Sequence, residues 1–404
     1  MQDTVSSGFA SWVVEFSPSS QATGRARTES RRRRAALGVR DRLAASAFPS
    51  WVRLKATTWG DAAIAFDYPM RGGYAGLKNW RTIPYSDSRT TMATTRKISK
   101  VLKSRPTIEG AGVHLKRAFG YSQVPMFDPF LLLDDFRSDD PEHYVRGFPW
   151  HPHRGIETIT YVLRGDVEHG DSMGNKGVIS SGDVQWMTAG SGIIHQEMPK
   201  GDLEGRMYGF QLWANLPKSY KMMEPRYRDV KDEQIPEVVA HNGTRIRVIC
   251  GKVGGRMGPV RDIIIDPEYL DVAVPARSEF VHPTQRGHTV LAYVTEGKGI
   301  FCKERKPFSY EMEGLNYFDM QRDPFVGNGG LVLFGDGDQV MVTTEDQAVR
   351  FLLISGRPLA EPVAWYGPIV MNTNDELQTA FEEYHSGTFI KHKSTHAIGP
   401  DQPL

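Results

Sequence analysis

His151 and His153 stand two apart in "GFPWHPHRGIETITYVLRG" (147–165), at the front of a strand-like run. Side chains alternate along an extended strand, so positions i and i+2 face the same way. Two imidazoles side by side at a barrel mouth are ordinary in a metal site and unusual on a surface. A second pair follows in "GDVQWMTAGSGIIHQEM", where His195 and Glu197 are again i and i+2, on a strand entered through the turn "AGSG". Three neutral imidazoles and a carboxylate make a nitrogen and oxygen donor set without sulfur. That set suits a first-row divalent ion such as Fe(II), and also Ni, Cu, Mn or Zn. An octahedral ion held by four protein ligands keeps two positions open for substrate and dioxygen, whereas a structural zinc is more often closed and tetrahedral.

The neighbouring polar residues sort around this core. Glu157 shares the parity of His151 and His153, so it is expected to point inward and orient a histidine through its free ring N–H. An ion pair between Glu157 and Arg154 is the alternative. His169, in "VEHGDSMG", reads as a loop tip in solvent. His114 and His143 have no partner at ligand spacing and read as surface or satisfied residues.

The elements that must position these groups are legible in the texture of the chain. Its 404 residues exceed one typical core, which points to two domains or more. The 49 basic and 48 acidic residues give a formal net charge of +1, with no global pull toward nucleic acid or anionic membrane. The 40 Gly and 25 Pro fall between short apolar runs, which favours strands and tight turns. Cys250 and Cys302 lie far apart, which argues against a disulfide framework or a thiolate zinc site. No run reaches the roughly 18 apolar residues of a membrane helix and no secretory segment opens the chain, so a soluble intracellular protein is expected.

Residues 1–105 differ from the rest, being rich in Arg, Ser and Ala. They read as a disordered extension, with an organelle-targeting segment or a basic nuclear signal at Arg31–Arg34 as competing readings. From Pro106, evenly spaced strands of period two predict an all-β fold of jelly-roll type. A polar stretch at 228–243 separates two sets of strands. "TITYVLRGDV" aligns with "TVLAYVTEGKG", matching Tyr161 with Tyr293 and Gly165 with Gly297, and "YGFQLWANLP" aligns more loosely with "RFLLISGRPL". Two tandem barrels are predicted, at 106–235 and 236–360. A short C-terminal helix follows within 361–404, with a capping box at Thr373 and Glu376, an apolar face at Leu377, Phe381 and Tyr384, and a stop at Gly387. On the Tyr161–Tyr293 offset, His151, His153 and Glu157 fall on Pro283, Gln285 and Thr289, so the second barrel is expected to lack the metal.

"FDPFLLLDDF", "FPWHPHRGIETITYVLRGDVEHGDSMGNKGVI", "GDVQWMTAGSGIIHQEMP" and "EPVAWYGPIVMNT" together resemble the pirin family of bicupins over roughly residues 106–390. The resemblance implies a tandem cupin fold with one Fe(II) per chain in the N-terminal barrel. By motif position the ligands are His151, His153, His195 and Glu197, the same four that the spacing selects. Glu157 sits at the carboxylate position of the general cupin motif and is not the pirin ligand. The N-terminal extension departs from the family pattern.

Two functions follow from the resemblance. One is a quercetin 2,3-dioxygenase, opening a flavonol ring with dioxygen and releasing carbon monoxide. Glu197 would then accept the 3-hydroxyl proton, and Trp186 or Phe148 would stack on the rings, although core packing is the plainer job for Trp186. The other is an iron-dependent transcriptional co-regulator of the nucleus or cytoplasm, acting through transcription-factor or signalling partners. Direct nucleic-acid reading is not expected, because the barrels lack a basic stripe interleaved with aromatics. A metal-binding barrel with neither activity is the third reading.

Overall fold

The computed structural model describes residues 93–302, 309–313 and 323–392. The Arg31–Arg34 run and the rest of the chain up to residue 92 lie outside the described residues.

The chain forms two jelly-roll barrels, with β-structure predominant and a helix near the C-terminal end. In the first barrel one sheet runs in the order Arg226–Val230, Val184–Thr188, Ile156–Arg164, Tyr208–Asn215, Phe130–Asp135, Val113–Phe119, Arg105–Glu109. The facing sheet is Phe148–His153, Ile193–Lys200, Asp166–Asp171, Lys176–Ile179, all antiparallel. In the large sheet, Ile159, Tyr161, Val184, Trp186, Phe210, Leu212 and Ala214 join residues of the second barrel in one buried core. The outer faces of the two large sheets are thus packed on one another. The alternate residues, Thr160, Gln211 and Trp213 among them, face the first barrel's interior. Both faces of these strands are covered, which is why their sequence reads as near-continuous apolar runs.

The predicted repeat is visible atom by atom. Tyr161 lies opposite Phe210, which lies opposite Asp135; Tyr293 lies opposite Leu352, which lies opposite Asp271. Each tyrosine then crosses to the other barrel. Tyr161 donates to Asp271 at 2.7 Å and Tyr293 donates to Asp135 at 2.7 Å. Arg350 grips Asp271 with two N–H groups, and Arg137 grips Asp135 likewise. Gly165 and Gly297 both take positive φ, +84° and +65°, at the same bend of the repeat.

Both ends of the described chain leave their own barrel. Residues 93–104, assigned from the sequence to the extension, belong to the second barrel. Ile98–Lys103 pairs with Gly330–Phe334 in its large sheet. Buried Arg96 donates to Thr284 Oγ1 and to the Gln285, His288 and Gly335 carbonyls. The alternation in "ISKVLK" is weak, and its Arg-, Lys- and Ser-rich flanks hid it. In return, the hairpin Ala364–Tyr366 and Ile369–Met371 and the helix Asn374–His385 fold back toward the first barrel. Ile369, Met371, Ala380 and Phe389 pack together there with Ile194. The helix starts on the predicted capping box, Glu376 N–H to Thr373 Oγ1 and Thr373 N–H to Glu376 Oε2, and gives way at Gly387 with φ +72°.

Candidate metal centre

Phe148–His153 and Ile193–Lys200 pair with His195 directly opposite His151. The parity expected from the sequence puts His151, His153 and His195 on the inner face of this sheet. His151 Nε2 lies 3.1 Å from His153 Nε2 and 3.0 Å from His195 Nε2. The ligand atoms of the three all lie within 4.8 Å of one another, a group able to hold a metal ion.

The donor set fits a cation. His151 donates from Nδ1 to the Pro149 carbonyl at 2.8 Å, and His153 from Nδ1 to the Pro368 carbonyl at 3.1 Å. A neutral imidazole with its proton on Nδ1 presents a bare lone pair at Nε2. Two such lone pairs facing each other repel unless a cation lies between them. Burial holds all three imidazoles below the ordinary histidine range, His153 and His195 far below it, so the neutral, ligating form prevails at pH 7. The Nδ1 of His195 is buried with no hydrogen-bond partner among the described residues.

Glu197 follows His195 at i+2 on the same face and is buried. Its Oε1 accepts from Thr160 Oγ1 at 2.9 Å and its Oε2 from Gln211 Nε2 at 2.8 Å. Each oxygen keeps a lone pair beyond these bonds.

Glu157 and Arg154 take neither of the roles expected of them. The turn after His153 passes the chain from one sheet to the other, so the parity count does not survive it. Glu157 points out of the barrel toward the inter-barrel core, where it accepts from Thr188 Oγ1 at 2.7 Å and feels Arg226 and Arg228. Burial raises its carboxyl above the usual range. Arg154 pairs with Glu383 at 2.8 Å, donates to the Ser191 and Phe389 carbonyls, and lies 4.2 Å over the Phe389 ring. It fastens the C-terminal segment to the barrel. Gly155 explains the rest of "HPHRG": its φ is +78°, and a Cβ there would run into the Val370 carbonyl of the returning hairpin. Buried Lys221 ties the same junction, donating to the Gly155 and Val370 carbonyls and to Asn215 Oδ1.

Other inward residues escaped the sequence reading. His169 is buried on Asp166–Asp171, opposite Glu197 and stacked on Tyr227 at 6.0 Å, and not at a loop tip in solvent. "EHGDSMG" imitates a turn, but the turn begins only after Asp171, whose carboxylate accepts from the Met173 and Asn175 N–H groups. Gln211 and Trp213 alternate with Phe210, Leu212 and Ala214, and that alternation was the signal available. Trp213 sets its ring edge-on to His153 at 5.0 Å. It faces the interior and is only partly buried. Trp186 is buried in the inter-barrel core, as its plainer reading had it, and Phe148 is tilted against His151 at 6.5 Å. His114 and His143 stack on each other at 4.4 Å away from the group.

In the second barrel the position opposite Pro283, the counterpart of His151, is Gln339. His282 there pairs with Glu268 at 2.9 Å. Among the described residues no helix is long and apolar enough to cross a membrane.

Two family models match the chain: Pirin over residues 112–214 and the Pirin C-terminal cupin domain over residues 269–390. A pirin-like protein of Caulobacter vibrioides is 41% identical over 295 residues, which are 73% of this chain and 99% of that protein. Rat pirin is 36% identical, over 73% of this chain and 94% of its own. Among solved structures, a quercetin 2,3-dioxygenase from Acinetobacter baumannii superposes with a TM-score of 0.63 at 28% identity, covering 73% of this chain and 98% of that one. With both barrels matched and whole relatives covered end to end, this chain belongs to the pirin family.

Proposed function

We propose that His151, His153, His195 and Glu197 hold one Fe(II) and that the first barrel is a dioxygenase of the quercetin 2,3-dioxygenase type, acting on a flavonol or a similar flat aromatic enol. The observation that carries this reading is the convergence of three Nε2 lone pairs beside a buried carboxylate, with the partly buried Trp213 ring next to them. The likeness to the Acinetobacter baumannii enzyme supports the same class of reaction. Another first-row divalent metal would satisfy the same donors.

When bound, the metal supplies Lewis acidity toward an enolate oxygen and a place for dioxygen. The residues supply the rest. Pro149 and Pro368 fix two imidazole tautomers through their carbonyls, so no reorganisation is needed on binding. Thr160 and Gln211 hold Glu197 as the carboxylate and aim it across the cavity, where it takes the proton of the substrate's 3-hydroxyl. Trp213 offers a flat face next to His153 for the substrate rings.

The test uses the full chain, prepared without oxygen and loaded with Fe(II), then given quercetin and air. One iron per chain, carbon monoxide release and loss of both in His195→Ala are expected. Turnover that survives His195→Ala would overturn the assignment. One bound iron without turnover on any flavonol would favour the regulatory reading, in which the centre answers to a protein partner.

A further inference from the structure

Four aromatic rings follow one another by contact from the candidate metal-site histidines to the surface. His153 meets Trp213 at 5.0 Å, Trp213 meets Trp365 at 6.1 Å, and Trp365 meets Tyr121 at 3.9 Å. Trp213 and Trp365 are partly buried, and Tyr121 is 52% exposed. The row is assembled from three distant parts of the chain: the loop after Val113–Phe119, the strand Tyr208–Asn215 and the returning C-terminal hairpin. Plain core packing would not need the outermost ring in water.

We propose that Trp213, Trp365 and Tyr121 form an electron-transfer row that draws stray oxidising equivalents away from the metal ligands to the protein surface. The proposal rests on metal binding at the three histidines, as argued above. Its chemistry is one-electron. Hydrogen peroxide, reduced to two waters, would take two electrons from the centre and two protons from solvent. The row returns those electrons one at a time, in two passes. In each pass an electron leaves Trp213 for the centre, Trp213 is refilled from Trp365, and Trp365 from Tyr121. Tyr121 releases its phenol proton to water at the same time, and a small one-electron reductant in solution, such as a thiol or ascorbate, restores it.

The hydrogen bonds suit this division of labour. Trp213 Nε1 donates to Gln211 Oε1 at 3.0 Å and Trp365 Nε1 donates to the Gly367 carbonyl at 2.8 Å. Both acceptors are neutral and weakly basic, so an oxidised indole keeps its proton and the inner hops move an electron alone. Tyr121 is the most exposed ring of the row, and its hydroxyl donates to the Gly367 carbonyl at a long 3.4 Å. Partial burial raises its phenol above the ordinary tyrosine range, so the neutral phenol is the resting form. An oxidised phenol, unlike a resting one, gives up its proton readily, so the charge becomes trapped at this end of the row.

The experiment takes the Fe(II)-loaded full chain, with iron content measured first, and treats it with hydrogen peroxide in the absence of any organic substrate. Freeze-quench electron paramagnetic resonance and peptide mapping of oxidised residues are the readouts. A phenoxyl signal and oxidation products at Tyr121 are expected, with exposed Tyr220, outside the row, left intact. Trp365→Phe should abolish the Tyr121 signal and shift oxidation onto Trp213 and the three histidines. Tyr121→Phe, at the surface, should leave iron content unchanged and hold the radical on Trp365. Bound iron with no radical at Tyr121, or a Tyr121 radical that survives Trp365→Phe, would overturn the row while leaving the metal centre intact. A Trp365→Phe effect confined to KM for quercetin would do the same, marking the rings as a substrate wall. Absence of bound iron would overturn the metal centre itself, and the row with it.

Discussion

A histidine whose Nδ1 is tied to a main-chain carbonyl has one lone pair left, and the backbone decides where it points. His151 and His153 are both of this kind. The spacing HPH, with His195 behind the next turn, was enough to select the three histidines that converge, because period-two parity holds strictly within one strand. It failed at Glu157, one turn further on, since a parity count cannot be carried through a bend that changes sheets. It could not supply the Pro368 carbonyl either, which comes from residues far along the chain. The three imidazoles also set a pH dependence. Their folded-state pKa values are lowered, so as pH falls below the ordinary histidine value of about 6.5 the unfolded chain takes up protons that the folded chain refuses. Metal-free protein should therefore lose stability as pH drops from 7 toward 5, by up to ~1.4 kcal/mol per pH unit for each histidine. Replacing His153 by Gln should flatten that slope. Denaturant titrations of the metal-free chain across this range, superimposable for wild type and variant, would refute it.

The large sheets carry the repeat, and they carry it through polar residues that a sequence reading treats as incidental. Tyr161 and Tyr293 were matched as letters in an alignment. Their exchange, each donating to an aspartate of the opposite barrel that an arginine already grips, depends on the outer faces of the sheets meeting. The near-continuous apolar runs show that both faces are covered, but not by what. Because the two arrangements are related by the repeat, they should be energetically alike. Tyr161→Phe and Tyr293→Phe each remove one hydrogen bond to a charged, buried carboxylate that keeps its arginine, so each should cost about 1.5–3 kcal/mol. Equal losses in chemical denaturation are expected. A full loss from one and none from the other would mean that the symmetry is geometric only, with a single barrel contact holding the interface.

At the scale of the whole molecule the termini matter more than their composition suggests. Each barrel is completed by the far end of the chain. The hairpin at 364–371 presents a carbonyl to His153, and Arg154 with Glu383 and Phe389 fastens that segment in place. At the other end, Ile98–Lys103 supplies a strand to the second barrel, and Arg96 satisfies four acceptors there. The boundary at residue 105 read from composition therefore cuts through a sheet, and two deletions separate the two descriptions. Removing residues 1–92 spares Arg96 and the strand; removing residues 1–105 strips the ladder next to the sheet edge from Gly330–Phe334 and takes four hydrogen bonds from Thr284, Gln285, His288 and Gly335, at about 0.5–1.5 kcal/mol for each bond lost. The longer deletion should unfold at markedly lower temperature than the shorter one, or fail to accumulate as soluble protein. Its second barrel should also exchange backbone amides faster, most of all along Gly330–Phe334. Equal melting temperatures and equal exchange in the two truncated chains would show that the strand is an ornament on a barrel already complete, and the composition-based boundary would stand.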